Sequence, residues 1–156
     1  LPLSSSSTQL WKLERIYEIS RFESFNIDGT YIRHETDGDI VIGSEFTSLP
    51  LKDSQWRVIS GLADSSYISL ESVNKPGYYL RHKDGKLQLS LNDGTTLMKA
   101  DATWKLKAGL ADSTKISLES YNIAGNYIRH YNGVLHISAI STTLEKKDAT
   151  FIQIKQ

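Results

Sequence analysis

Three histidines, His34, His82 and His130, recur 48 residues apart, and each is followed 18 or 19 residues later by an aspartate, Asp53, Asp101 or Asp148. A carboxylate accepts two or more hydrogen bonds and an imidazole donates or accepts, so one such pair can grip adjacent hydroxyls of a sugar ring. The competing reading is structural, with Asp capping a turn and His bonded to backbone, and the residue types alone leave both open. A transition metal needs three or four converging ligands, whereas threefold repetition leaves about one His and one Asp per site. Nucleophilic catalysis has no Ser or Cys in an elbow or triad context. Glycoside hydrolysis usually needs two carboxylates flanking the bond. The only other repeated acid is Glu23, Glu71 and Glu119, so a Glu/Asp hydrolytic pair stands as the enzyme alternative. No residue pattern calls for a cofactor.

Each histidine closes the same string, Asn-x-x-Gly-x-Tyr-[Ile/Leu]-Arg-His, so one unit of about 48 residues has been laid down three times. Runs with period-two alternation, such as Lys86-Leu-Gln-Leu-Ser-Leu91, predict half-buried strands. Between them Asp28-Gly29, Pro76-Gly77, Asp84-Gly85, Asn92-Asp93-Gly94 and Asn132-Gly133 supply the positive φ of tight turns. The middle unit reads as four strands, Trp56 to Ile59, Tyr67 to Val73, Tyr78 to His82 and Lys86 to Leu91. No segment offers three turns of amphipathic helix. Three units of four strands predict an all-β fold of about twelve strands closed with threefold pseudosymmetry, a β-trefoil, in which three hairpins cap a six-stranded barrel. A three-bladed propeller is the weaker alternative, since propellers typically need four blades or more. Each His then ends a strand, and each Asp lies in the loop before an aromatic strand beginning at Trp56, Trp104 or Phe151. Trp11-Lys-Leu-Glu14 is a fourth copy of that aromatic frame, so two terminal segments compete for one strand position.

Residues 1–9, with four consecutive serines, read as a flexible tail or linker, and residues 10–156 as the trefoil domain, with repeats near 10–55, 56–103 and 104–156. Within each repeat the Glu strand and the Arg strand are hairpin neighbours, which predicts three cross-strand ion pairs, Glu23, Glu71 and Glu119 with Arg33, Arg81 and Arg129. Tyr31, Tyr79 and Tyr127 read as packing residues with a hydroxyl at the edge.

Eighteen Lys and Arg balance eighteen Asp and Glu. No basic run is long enough to track a phosphate backbone, so a neutral ligand suits this chain better than nucleic acid. No apolar stretch approaches the roughly 20 residues of a membrane span, and no signal-peptide pattern opens the sequence. Cysteine is absent, which leaves the compartment undetermined.

The segment Glu71-Ser-Val-Asn-Lys-Pro-Gly-Tyr-Tyr-Leu-Arg-His82, the Asp-Ala-Thr-[Trp/Phe] frames that follow the second and third motifs, and the Gly-Leu-Ala-Asp segments at 61 and 109 together resemble carbohydrate-binding module family 42, the arabinofuranose-binding domain of α-L-arabinofuranosidase B. The resemblance covers about residues 10–156. It implies a β-trefoil whose pockets take terminal arabinofuranose side chains of arabinoxylan or arabinan, through the motif His and the following Asp: His34 with Asp53, His82 with Asp101, His130 with Asp148. It further implies a non-catalytic, monomeric module of a larger secreted enzyme that attacks plant cell-wall polysaccharide. The family pocket often has a tyrosine after the histidine, and here the copies read Glu35, Lys83 and Tyr131. An aromatic face adds a stacking platform of about 1 kcal/mol, which ranks the third pocket first. The first repeat, with Glu35 and without Ala-Thr after Asp53, ranks last. Single-sugar pockets of this kind are weak, on the order of 10⁻³ to 10⁻⁴ M, and gain when two or three engage one polymer. The remaining alternative is a trefoil scaffold that works through protein contacts and binds no sugar.

Overall fold

The period-two runs form twelve strands in the computed structural model, which describes residues 18–44 and 51–156. The serine-rich segment 1–9 and the Trp11 copy of the aromatic frame lie outside the described residues. The first unit contributes β1 (Glu18–Ser24), β2 (Thr30–His34) and β3 (Ile40–Ser44). The second contributes β4 (Trp56–Ser60), β5 (Ile68–Ser72), β6 (Tyr78–Lys83) and β7 (Lys86–Leu91). Then follow β8 (Trp104–Ala108), β9 (Ile116–Ser120), β10 (Asn126–Tyr131), β11 (Val134–Ala139) and β12 (Phe151–Lys155).

Pairing closes six of these strands into a ring: β1 with β4, β4 with β5, β5 with β8, β8 with β9, β9 with β12, and β12 with β1, all antiparallel. Closure removes the exposed edges that an open sheet would present. Phe151 stands opposite Ser24 as Trp56 stands opposite Ser72 and Trp104 opposite Ser120. The last strand therefore fills the aromatic-strand position of the first unit, and the barrel closes where the chain ends meet. The remaining strands form three hairpins, β2–β3, β6–β7 and β10–β11. These hairpins touch through Val134 opposite Val41, His136 opposite Lys86, and the Asp39–Gln88 bridge. The molecule is a β-trefoil.

Two hairpins turn on residues with positive φ at both central positions, Asp84 (54°) with Gly85 (81°) and Asn132 (52°) with Gly133 (79°). That is the type I′ geometry matching the twist of the strands it joins. The first hairpin carries three more residues between its strands, so Glu35 opens a wider loop through Gly38. The core is threefold as well. Phe22, Leu70 and Leu118 from one strand of each unit meet Trp56, Trp104 and Phe151 from another and Ile32, Leu80 and Ile128 from a third, all at 0% exposure. The indole N–H groups of Trp56 and Trp104 are satisfied in this apolar setting by the carbonyls of Ile32 and Leu80, each at 3.1 Å.

Short helical segments precede the aromatic strands: a 3-10 turn at Leu51–Ser54, α1 (Thr96–Asp101) and α2 (Thr143–Asp148). Thr95 caps α1, and Thr142 with Glu145 forms a reciprocal capping box on α2. These six-residue helices are too short to leave an amphipathic signature, but the Thr-x-x-Glu spacing at 142–145 marks the start of α2 in the sequence.

Candidate functional site

Asp53, Asp101 and Asp148 sit at the ends of these segments, within Leu51–Ser54 for the first and at the last residue of α1 and α2 for the others. A carboxylate at a helix C-terminus meets the partial negative charge of the unpaired carbonyls, so it needs compensation. Arginine provides it. Arg33 NH2 donates to Asp53 Oδ2 at 3.0 Å, Arg129 NH2 to Asp148 Oδ2 at 2.7 Å, and Arg81 pairs with Asp101 in the same way. The cross-strand Glu–Arg ion pair expected from the motif is thus replaced by Asp–Arg. Each Glu stands opposite the motif Tyr, not the Arg, and turns back to accept the backbone N–H of the motif glycine: Glu23 from Gly29, Glu71 from Gly77, Glu119 from Gly125, at 2.7 to 2.8 Å. The acid of the Glu/Asp hydrolytic alternative is thus engaged in a turn in all three repeats.

The structure brings each predicted His to its predicted Asp. Nε2 of His34, His82 and His130 lies 3.7, 3.5 and 3.6 Å from Oδ1 of Asp53, Asp101 and Asp148. Between them stands a residue that the His/Asp pairing leaves out, the asparagine that opens the motif, and it comes from the next repeat. Asn74 serves His34, Asn122 serves His82, and Asn26 serves His130. Each amide donates through Nδ2 to the Asp Oδ1, at 2.5, 2.8 and 2.8 Å respectively. Its Oδ1 lies 2.7 to 2.8 Å from the His Nε2. Because that amide oxygen can only accept, Nε2 carries a proton. A serine two residues before each Asn, Ser72, Ser120 or Ser24, bonds both the amide oxygen and the imidazole. Three Asp–Arg–Asn–His–Ser sets therefore lie at the three junctions between repeats. The signal was present in the sequence, since Asn and Ser recur at fixed offsets, but a repeat read as a unit hides partners shared across its boundaries.

Indole edges support two of the imidazoles, with Trp56 and Trp104 centroids 6.0 and 5.9 Å from His34 and His82. The Asp-Ala-Thr frames explain themselves as anchors. Thr103 and Thr150 donate to the carbonyls of Lys99 and Lys146 and accept the backbone N–H of Ala63 and Ala111 in the two Gly-Leu-Ala-Asp loops. Those loops must begin with glycine, because a Cβ at Gly61 or Gly109 would stand 2.4 Å from the carbonyl oxygen of Asp64 or Asp112. The turn that carries Asp53 has a different neighbour: Arg21 Nε donates to Ser54 Oγ at 3.1 Å, and the Arg21 guanidinium lies 3.7 Å over the Tyr31 ring.

The rims differ where the cores agree. A cavity of about 350 Å³ opens at His34, Asp53 and Asn74, flanked by Glu35 and Lys75 of opposite charge. At the equivalent positions around the third set stand Tyr131 and Ile27, both exposed, with the Arg129 guanidinium 5.5 Å from the tyrosine centroid. The second set has Lys83 and Ile123. Burial holds His130 below the ordinary imidazole range, with Arg129 acting in the same direction and Asp148 opposing. Of the motif tyrosines, Tyr79 is buried against Met98 and Ala102, a packing role.

The chain matches the model of the α-L-arabinofuranosidase B (ABFB) domain over residues 20–153. It is similar to the solved structure of a GH54 α-L-arabinofuranosidase soaked with a cyclic sulfate inhibitor, at 31% identity and a TM-score of 0.78, covering 88% of this chain and 31% of that one. An arabinofuranosidase complexed with arabinofuranosyl-α-1,2-xylobiose is similar at 29% identity and a TM-score of 0.78, covering 88% and 30%. A BEL β-trefoil shares the fold at 13% identity, with a TM-score of 0.65 over 89% and 93%. No curated protein sequence matches. This chain spans 31% and 30% of the two arabinofuranosidase chains it resembles. With the family model matched across nearly all of the described residues and the trefoil closed as above, the chain belongs to the α-L-arabinofuranosidase B (ABFB) domain family.

Proposed function

We propose that this domain is a non-catalytic carbohydrate-binding module that recognises terminal α-L-arabinofuranose side chains of arabinoxylan and arabinan. It anchors an attached, secreted glycoside hydrolase to plant cell-wall polysaccharide. The observation that carries the reading is the threefold set of His, Asp and Asn side chains bridged to one another at the repeat junctions. A pocket preorganised in this way meets the hydroxyls of one terminal sugar without reorganising, which limits the entropic cost of a small ligand. An arabinofuranosidase of 29% identity was solved in complex with an arabinofuranosyl-xylobiose, which fits the same ligand class. His34, Asp53, His82, Asp101, His130, Asp148 and Tyr131 are the proposed sugar contacts. Affinity electrophoresis in gels containing arabinoxylan, arabinan or unsubstituted xylan tests the reading: retardation by the first two alone is expected. Equal mobility in all three gels overturns it, and release of reducing sugar from arabinoxylan by the isolated domain overturns its non-catalytic part.

A further inference from the structure

The third hairpin carries a second concavity that the His130 set does not use. A groove of about 440 Å³ runs between the β6–β7 turn and the outer face of β10–β11, bordered by Asp84, Lys86, Arg129, Tyr131, His136 and Ser138. Its wall is aromatic: the Tyr131 ring is 58% exposed and stands edge-on to His136 with centroids 6.5 Å apart. Two of its bordering residues hold a buried polar atom, Arg129 Nε and Ser138 Oγ, with no hydrogen-bond partner among the described residues. Buried polar atoms are nearly always satisfied, so two orphans bordering one groove point to a polar guest. The groove adjoins the third candidate pocket, because Arg129 borders it while its NH2 holds Asp148.

The charge here suits a neutral guest. Asp84 and Lys86 offset each other, the Arg129 guanidinium already pairs with Asp148 and Glu145, and burial beside Lys86 and Arg129 keeps the His136 ring below the usual imidazole range. A neutral imidazole donates from one nitrogen and accepts at the other, which suits a hydroxyl-bearing ring. The other hairpins keep the arginine but lack the histidine and the exposed tyrosine. Opposite Arg81 stands Gln88 and opposite Arg33 stands Val41, where His136 stands opposite Arg129. Ser138 is matched by Ser90 and Gly43, and Tyr131 by Lys83 and Glu35.

We infer that this groove is a second subsite, which takes the neutral sugar unit bonded to the terminal sugar held in the His130 pocket. His136 and the polar groups of Ser138 and Arg129 meet its hydroxyls, beside the Tyr131 ring that the two sugars share. The inference rests on the carbohydrate reading above. It makes the third pocket sensitive to what the terminal sugar is attached to, whereas the first two read the terminal sugar alone.

The test is an NMR titration of the full chain, followed at the Tyr131 and Ile137 amides, with methyl α-L-arabinofuranoside and with an arabinofuranosyl xylo-oligosaccharide. The wild-type protein is expected to bind the oligosaccharide roughly tenfold more tightly than the monosaccharide. His136→Ala is expected to remove most of that advantage and leave the monosaccharide affinity unchanged, with Ser138→Ala reproducing the selective loss in part. Equal wild-type affinity for the two ligands, or an equal loss of both in His136→Ala, overturns the subsite while leaving the terminal-sugar pocket standing. A wild-type protein that binds neither ligand overturns the carbohydrate reading, and the subsite falls with it.

Discussion

Asn26 and His130 are 104 residues apart in sequence, and the amide oxygen of one lies 2.8 Å from Nε2 of the other. The same asparagine donates to Asp148 at 2.8 Å, so the third pocket is completed by the first repeat. Asn26→Ala removes the bridge that fixes both partners and leaves His130 and Asp148 in place but unaligned. Its cost to arabinofuranose binding at the third pocket is expected to match that of His130→Ala, about 1–2 kcal/mol or roughly tenfold. Per-residue NMR titration measures it, and an unchanged affinity in Asn26→Ala would assign that residue to the scaffold.

The rims predict an order among the pockets. Tyr131 and Ile27 give the third pocket apolar surface against which the C–H face of a sugar packs, whereas Glu35 and Lys75 flank the first with charges that stay hydrated. Asp53 also lacks the threonine anchor that holds Asp101 and Asp148. His130→Ala or Asp148→Ala should therefore weaken arabinan binding more than His34→Ala or Asp53→Ala. Calorimetry showing equal losses in all repeats would abolish this ranking.

Arg81 and Asp101 form a largely buried pair, with side chains 13% and 7% exposed. Removing one partner of such a pair strands the other charge away from water, at a cost of roughly 3–5 kcal/mol. Arg81→Met should lower the melting temperature by about 10 °C, since a domain of this size loses about 2–4 °C per kcal/mol. Arg81→Met combined with Asp101→Leu should recover much of the loss. A single variant as stable as the parent would show that Asp101 is solvated or protonated in the fold.

Much of this was legible in the chain. The triple motif and the Asp-Gly and Asn-Gly turns specify three like hairpins, and four strands per unit specify the closed count. The His/Asp pairs were legible because both recur in phase. The partners of the arginines are not legible in the same way, because adjacency across a hairpin does not amount to contact. The register instead sets Glu71 opposite Tyr79 and Arg81 opposite Gln88, which frees the arginine to reach the carboxylate before the next aromatic strand. The role of the asparagines is hidden for a different reason: their partners lie in a neighbouring repeat, and periodicity reports what recurs without reporting what touches. The competition for the closing strand was likewise undecidable from Trp11 and Phe151 alone, and pairing of β12 with β1 places Phe151 in that position.

Acid should weaken the fold in two stages. The His130 ring is buried, and the resulting desolvation, helped by Arg129 and opposed by Asp148, lowers its pKa in the folded state. His136 shifts in the same direction, through burial, Lys86 and Arg129. Above the unfolded value near 6.5 both states are neutral at these rings and stability does not depend on them. Below it the unfolded chain takes up protons that the folded rings resist, so stability declines as the pH falls from about 6.5 toward the lower folded values. The second stage belongs to Glu145, whose carboxylate is held down to about 2 by the backbone N–H groups of Thr142 and Ser141 and the Ser141 hydroxyl. Its contribution is present above the ordinary value of 4.5 and is lost as the pH falls from there toward 2. Urea denaturation at pH 7.5, 5.5 and 3.5 should show both declines, with His130→Asn flattening the first and Glu145→Gln the second. If His130→Asn leaves the slope between pH 7.5 and 5.5 unchanged, the imidazole in the third pocket is free to take a proton, and the buried, neutral ring is not its state in solution.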